Sequence, residues 1–241
     1  MTRRTADVHT EFYEQVATYD RPVERHDVFL EAYRRQRARA RRPLAVLDVG
    51  CGEHAVLGEG ITAPDTYFGT DVKESIAAEL EHYASLDLDR DELSSAFPSQ
   101  RFDVIFCGEV IEHVFSPDRL LRQLASIAAD DGIIVLSTPN LAYWVNRILL
   151  VLGFNPLFVE NSADVVLGRR FKRLGQGNPT QGHIRLFTHR ALLDLLARER
   201  FTVLDITSVP VWNLPGDRLV CRLSPHFGPN TVYVLEPPHA R

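Results

Sequence analysis

Lysine is nearly missing from this chain. Lys73 and Lys172 are the only two in 241 residues, so almost all positive charge is arginine. That bias reads as genome composition and marks no binding surface by itself. Cysteine is also sparse. Cys51, Cys107 and Cys221 lie far apart without metal-ligand spacing, so free thiols in a reducing compartment are expected. No run of about eighteen apolar residues occurs, so nothing spans a membrane and no membrane partner is expected. Residues Met1 to Asp7 lack an apolar stretch, so no signal peptide is expected and a cytoplasmic location follows by elimination. The net charge of −5 argues against a nucleic-acid partner. There is no internal repeat and no low-complexity segment. What remains is ordinary for a globular chain. A hydrophobic content of 45% is enough for a full core, and the length fits one large domain carrying an inserted lid.

The chain is organised around Leu44 to His54, Leu-Ala-Val-Leu-Asp-Val-Gly-Cys-Gly-Glu-His. Leu44 to Val49 is short, apolar and rich in valine, as a buried parallel strand is. Gly50 and Gly52 then allow a sharp turn and a close approach of a ligand to the main chain. A Gly-x-Gly by itself also marks an ordinary strand-to-helix turn. The stretches that follow add weight. Tyr67 to Asp71 reads as a second strand ending in an acid, placed to accept from a ribose diol. Leu86-Asp87-Leu88 sets a carboxylate among apolar residues, suited to an adenine amino group. Arg101 to Gly108 is a further strand, running into Glu109.

The other elements follow from periodicity and caps. Val8 to Tyr19 and Val23 to Arg42 have helical spacing, and the second ends in a basic run read as a solvated helix end. Short helices are expected over Glu53 to Glu59 and from Lys73 to Ala78. Ser116, Pro117 and Asp118 open a helix whose apolar face is Leu120, Leu121, Leu124 and Ile127. Ile133 to Leu136 is a fifth strand. Asn140 to Gln181 loses periodicity but keeps its aromatics, so it reads as a partly helical lid. Within it, Arg169 to Arg173 is either a solvated basic turn or a grip on an acidic group. Thr188 caps a helix to Arg200, and Phe201 to Ile206 is a sixth strand. Val209 to Pro229 is rich in proline, which argues against a helix. Asn230 to Leu235 is the last strand.

Glu109, Glu112 and His113 have the spacing i, i+3, i+4, which on a helix puts all three on one face. His183, in Gly-His-Ile-Arg-Leu-Phe, can approach them from the end of the lid. Each has a bland reading as a brace between loops.

The ordered set Val-Leu-Asp-Val-Gly-Cys-Gly, Gly-Thr-Asp, Leu-Asp-Leu, Phe-Asp-Val-Ile-Phe, Glu-Val-Ile-Glu-His-Val and Leu-Ser-Thr-Pro-Asn resembles the class I S-adenosylmethionine-dependent methyltransferases. The resemblance runs from about Ala45 to Phe201. It implies an α/β, Rossmann-like, doubly wound seven-stranded sheet, mostly parallel with an antiparallel last strand. It also implies a single domain over 1–241, with an N-terminal helical cap over 1–43 and a lid over 140–181. S-adenosyl-L-methionine is the implied cofactor. Gly50, Cys51 and Gly52 would offer backbone near its methionine and ribose, with Asp48 fixing that loop. Asp71 would take the ribose hydroxyls, Val72 and Leu88 would flank the adenine, Asp87 its amino group, and the Gly108 carbonyl would face the ammonium. Tyr19 would help close the pocket. His54 stands where the family usually has a third glycine and is expected to narrow the methionine end.

Two subfamilies are similar at the second constellation. Ubiquinone-pathway O-methyltransferases share the Glu-His-Val, which implies O-methylation of a small-molecule acceptor. Small-RNA ribose 2′-O-methyltransferases have Glu-x-x-Glu-His and a distant His, which hold a divalent metal. Glu109, Glu112, His113 and His183 match those ligand types. Without an ion, His113 or His183 is the expected catalytic base, because an imidazole titrates near neutral pH. A cofactor-binding protein that has lost catalysis is the third alternative.

Overall fold

A computed structural model of the protein describes residues 23–211, 214 and 216–238. The expected helix over Val8 to Tyr19, and with it Tyr19, lies outside the described residues.

Seven strands make one sheet: β1 Ala45–Val49, β2 Thr66–Asp71, β3 Tyr83–Ser85, β4 Phe102–Gly108, β5 Ala128–Pro139, β6 Thr202–Val209 and β7 Asn230–Glu236. Their order is β3-β2-β1-β4-β5-β7-β6. β1 to β5 are parallel, and β7 runs antiparallel to both β5 and β6. The expected sheet is therefore present. β1 and β4 lie at its centre, and each is buried along nearly its whole length, which explains their continuous apolar reading. The order reverses beside β1, so the carboxyl ends of β1 and β4 flank the crevice where such sheets bind ligands.

Among the described residues, six α-helices accompany the sheet: α1 Glu24–Arg39, α2 Leu93–Ala96, α3 Pro117–Ile127, α4 Trp144–Val151, α5 His189–Arg198 and α6 Asp217–Leu223. α1 lays Phe29, Ala32 and Tyr33 on one face of the sheet. α3 and α5 cover the other with Leu120, Leu121, Leu124, Leu192 and Leu196. Both caps read from the sequence are made. Ser116 accepts from Arg119 N–H at 3.3 Å, and Thr188 from Ala191 N–H at 3.1 Å. The arginine-rich end of α1 is not merely solvated. Arg35, Arg37 and Arg42 pair with Asp205, Asp65 and Asp103.

Four local expectations are corrected. Glu53 to Glu59 is not an α-helix; only a 3-10 turn forms, Val56–Gly60, because Ala55 takes a left-handed φ of 43°. Lys73 to Ala78 is irregular, with Ala78 N–H given to the Glu53 carbonyl at 3.0 Å instead of to a helix. β5 and β6 extend beyond their expected ends. The proline-rich stretch does contain a helix, α6, set between Pro215 and Pro225.

Candidate active site

The glycine turn is held by backbone contacts and one carboxylate. Gly50 and Gly52 adopt φ of 73° and 69°, a region that favours glycine. A Cβ on Gly50 would stand 2.5 Å from Val110 Cγ2, so no larger residue fits there. The N–H groups of Gly50 and Cys51 both donate to the Thr70 carbonyl, at 2.8 and 3.0 Å, and Gly52 N–H donates to Asp71 Oδ2 at 2.9 Å. The turn is thus stapled to the end of β2. Asp48 is not one of the staples. It is buried under β1 and accepts from Tyr67 O–H at 2.7 Å. Burial, with a smaller push from Asp71, raises its pKa to about 7. Burial likewise pushes the Cys51 thiol up, which makes it a poor nucleophile.

A cavity of about 450 Å³ opens at this turn. Asp48, Gly50, Cys51, Gly52, Asp71, Val72, Asp87, Leu88 and Gly108, gathered from the ends of four strands, all line it. The loop carrying Asp87 and Leu88 is braced from α3: Arg119 donates to the carbonyls of Leu88 and Asp91 and to Glu92, and Gln123 accepts from Leu93 N–H at 2.8 Å. His54 is exposed and is not part of the lining, so it does not narrow the cavity as expected. The open glycine turn, the paired carboxylates and the apolar Val72 and Leu88 fit a nucleoside with an aminoacyl arm.

The same cavity reaches Glu109, His113 and His183. The helix expected over 109–113 does not form. Glu109 is left-handed, with φ 58°, and gives its N–H to the Ser137 carbonyl. The chain then makes a single turn closed by His113 N–H on the Val110 carbonyl at 2.9 Å. The carboxylates therefore part company. Glu109 accepts from Ser137 Oγ and Asn230 Nδ2, each at 2.8 Å, with Arg25 at 3.9 Å. It does not join the cluster of potential metal ligands found among the described residues. That cluster is Glu112, His113 and His183, whose donor atoms lie within 4.8 Å of one another.

Each member of the cluster is oriented from outside. Nδ1 of His113 meets the Gly182 carbonyl, and Nδ1 of His183 meets the Phe158 carbonyl, both at 2.9 Å. A carbonyl can only accept, so each Nδ1 carries a proton. Glu112 is fully buried; Oε2 accepts from Thr138 at 3.0 Å, while Oε1 has no protein partner. Burial, then the charge of Glu109, pushes its carboxyl well above the usual range. Burial and the neighbouring His183 lower His113 to about 4. His113 is therefore neutral at pH 7 and a weak base, contrary to the expectation of an imidazole titrating near neutrality.

Several contributors had no signal in the sequence. Arg25, His26 and Phe29 of α1 line the cavity. Glu160 takes the N–H groups of Gln181, Gly182 and His183 at 2.6, 2.8 and 3.0 Å, and so sets both the carbonyl that orients His113 and the backbone of His183. Arg169, from the basic cluster, is buried and donates to the carbonyls of Leu174 and Val159 at 3.1 Å. It braces the 140–181 segment.

A family model described as a methyltransferase domain matches residues 23–206. The ubiquinone biosynthesis O-methyltransferase of Bradyrhizobium diazoefficiens is 28% identical over 116 residues, 46% of this chain and 45% of that protein. The enzyme of the same name from Neisseria meningitidis serogroup C is 33% identical over 106 residues, 39% of this chain and 44% of that protein. The matched part spans less than half the length of these curated relatives. Among solved structures, a S-adenosylmethionine-dependent methyltransferase from Clostridium acetobutylicum has a TM-score of 0.55 at 13% identity, covering 88% of this chain and 89% of that one. The N-methyltransferase NodS from Bradyrhizobium japonicum, in complex with S-adenosylhomocysteine, also scores 0.55 at 13% identity, covering 96% and 99%. At these identities the two structures speak for the fold. With the family model spanning β1 to β5 and most of β6, the chain belongs to the class I S-adenosylmethionine-dependent methyltransferases.

Proposed function

We propose that this protein transfers a methyl group from S-adenosylmethionine to an oxygen of a small-molecule acceptor. One observation carries the reading: a single cavity joins the glycine turn and the Asp71 and Asp87 carboxylates to a pair of imidazoles, His113 and His183, each oriented through Nδ1 by a backbone carbonyl. Asp71 and Asp87 would hold the nucleoside, and the Gly108 carbonyl the ammonium. The cofactor, when bound, supplies an activated methyl group and its own leaving group. The protein's part is then to align the acceptor, exclude water and take one proton. His113 is a poor base, held neutral with a pKa about 4, so the proton would fall to His183, the other imidazole of the cavity. The segment 140–181 would act as a lid, because it contributes Phe158 and Gln181 to the cavity and leads directly into His183.

A second reading is favoured by Glu112. Its Oε1 is fully buried and unpartnered, and Glu112, His113 and His183 bring donor atoms within 4.8 Å of one another, a set that suits a divalent ion. Held there, an ion would lower the pKa of an acceptor hydroxyl. The ligands would be Glu112, His113 and His183, without Glu109. The acidic net charge of −5 weighs against an RNA acceptor for such a site.

The deciding experiment is transfer of labelled methyl from S-adenosylmethionine to a panel of hydroxylated small molecules, with and without chelator. Turnover that ignores chelator and falls about 10²–10⁴-fold in His183→Ala supports the base. Turnover lost in chelator and restored by Mg, Mn or Zn supports the ion. Methylation confined to RNA, or cofactor binding with no transfer to any acceptor, would reject the small-molecule reading.

A further inference from the structure

The face made by α4, α6 and the bend at 170–173 is apolar where it should be polar. Val151 is 87% exposed, Leu223 75%, and Leu152 and Leu219 62% each. Leu150 and Phe171 are more than half exposed as well. Contiguous apolar surface of this kind marks an interaction site. Three links join these residues into one surface. Asp217, at the start of α6, accepts from Tyr143 O–H and Trp144 Nε1 at 2.7 and 2.8 Å, tying α6 to the start of α4. Phe227, just past α6, gives its carbonyl to Trp144 N–H at 3.0 Å and stacks under the Arg147 guanidinium at 4.8 Å. On the other side, Phe154, which follows α4, faces Phe171 with ring centroids 6.3 Å apart.

The charge on this face has one sign. Arg147, Arg170, Lys172, Arg173, Arg218 and Arg222 are all exposed there. Residues 144–159, 165–174 and 218–227 contain no aspartate or glutamate, in a chain whose acids outnumber its lysines and arginines by 32 to 27. Arg218 reaches out of the face to Glu24 at 2.8 Å. Aliphatic tips beside guanidinium groups match the layering of an anionic bilayer surface: hydrocarbon for the leucines and valine, phosphates for the arginines.

We infer that the α4–α6 face is a docking surface for an anionic lipid membrane, bound peripherally. No helix among the described residues is long and apolar enough to cross a bilayer, so the contact is with the surface. The inference does not depend on the reaction proposed above.

The test is co-sedimentation of the full chain with vesicles of phosphatidylcholine, alone or with roughly a third phosphatidylglycerol. Binding to the anionic vesicles only, weakened by added salt, is expected. The double variant Val151→Glu, Leu223→Glu should lose about tenfold or more of that binding, since both sites would carry charge into the hydrocarbon. The triple variant Arg170→Gln, Lys172→Gln, Arg173→Gln should lose the preference for anionic lipid. Both sets are exposed positions, and unchanged melting temperatures check the fold. Three results would overturn the inference: no binding to either vesicle, binding indifferent to the Glu variants, or a parent dimer that the Glu variants convert to monomer. The last would make the face an interface between copies of this chain.

Discussion

The two ends of the cavity are held by opposite means. At the nucleotide end, backbone holds backbone: the amides of Gly50 and Cys51 rest on one carbonyl of the neighbouring strand, Thr70. The side chain in that staple is Asp71, the last residue of β2, next to the Thr70 that pairs with Val49. At the imidazole end, where the proposed acceptor would sit, side chains from distant segments hold the backbone. Glu160 gathers three amides, Arg169 ties two carbonyls, and Asn146 grips Leu157 through both N–H and carbonyl. The first end is a fixed product of sheet geometry. The second is an assembly of separate polar contacts, each removable by one substitution, and this is where a family can change its acceptor without disturbing its cofactor.

The sharpest way to break this comparison is His183→Ala. Its expected effect is a loss of about 10²–10⁴ in turnover with donor affinity unchanged. An equal fall in cofactor binding, measured by calorimetry, would mean that the two ends are not separable. Asp71→Ala should do the reverse. It removes a charge-assisted contact worth about 1.5–3 kcal/mol, or roughly 10- to 150-fold in S-adenosylmethionine affinity. Unchanged affinity would remove Asp71 from the cofactor site.

Glu160→Ala tests the assembly of the acceptor end. Three amides lose their acceptor, and the local cost should be about 1–3 kcal/mol. Faster hydrogen exchange at 181–183, with β1 and β4 still protected, is the expected pattern. Protection lost evenly across the sheet would show that Glu160 supports the whole fold.

The last expected effect, on stability alone, belongs to Asp48. Folding raises its pKa from the ordinary 3.8 to about 7, through burial first. Between those values the folded chain binds more protons than the unfolded chain, so this group subtracts stability as pH rises, with the full cost present above pH 7. Asp48→Asn keeps an acceptor for Tyr67 and removes the charge. The variant should melt with the parent near pH 4 and about 2–4 °C or more above it at pH 8. A gap independent of pH would place the cost elsewhere than in ionisation.

The nucleotide end was legible because its signals are local. A valine-rich run, two glycines and an acid at the next strand end occupy a few adjacent positions, and parallel pairing of β1 with β2 brings them together without further instruction. Asp87, Leu88 and Gly108 were found for the same reason. The acceptor end was legible only as a set of residue types. Glu112, His113 and His183 do meet, but the helix that was to align them is absent, and Glu109 points instead to Asn230, distant in the chain. Periodicity reports a face only if the segment is helical, and one left-handed residue at 109 was enough to undo it. Nothing near His183 in sequence announces Glu160, and nothing in an arginine cluster says which arginine is buried.

The order of the sheet and its antiparallel last strand came from the resemblance, while the sequence by itself determined the strands, the two capped helices and the strand-end residues that line one end of the cavity. These depend on hydrophobic period, glycine and short-range capping, all written within a few residues. Only the tertiary structure decided which carboxylate stands with the imidazoles, which ring nitrogens carry protons, and how far burial moves Asp48 and His113 from their ordinary pKa values. Those outcomes depend on desolvation and on partners supplied from remote segments, and neither is a property of a residue or of its neighbours in the chain.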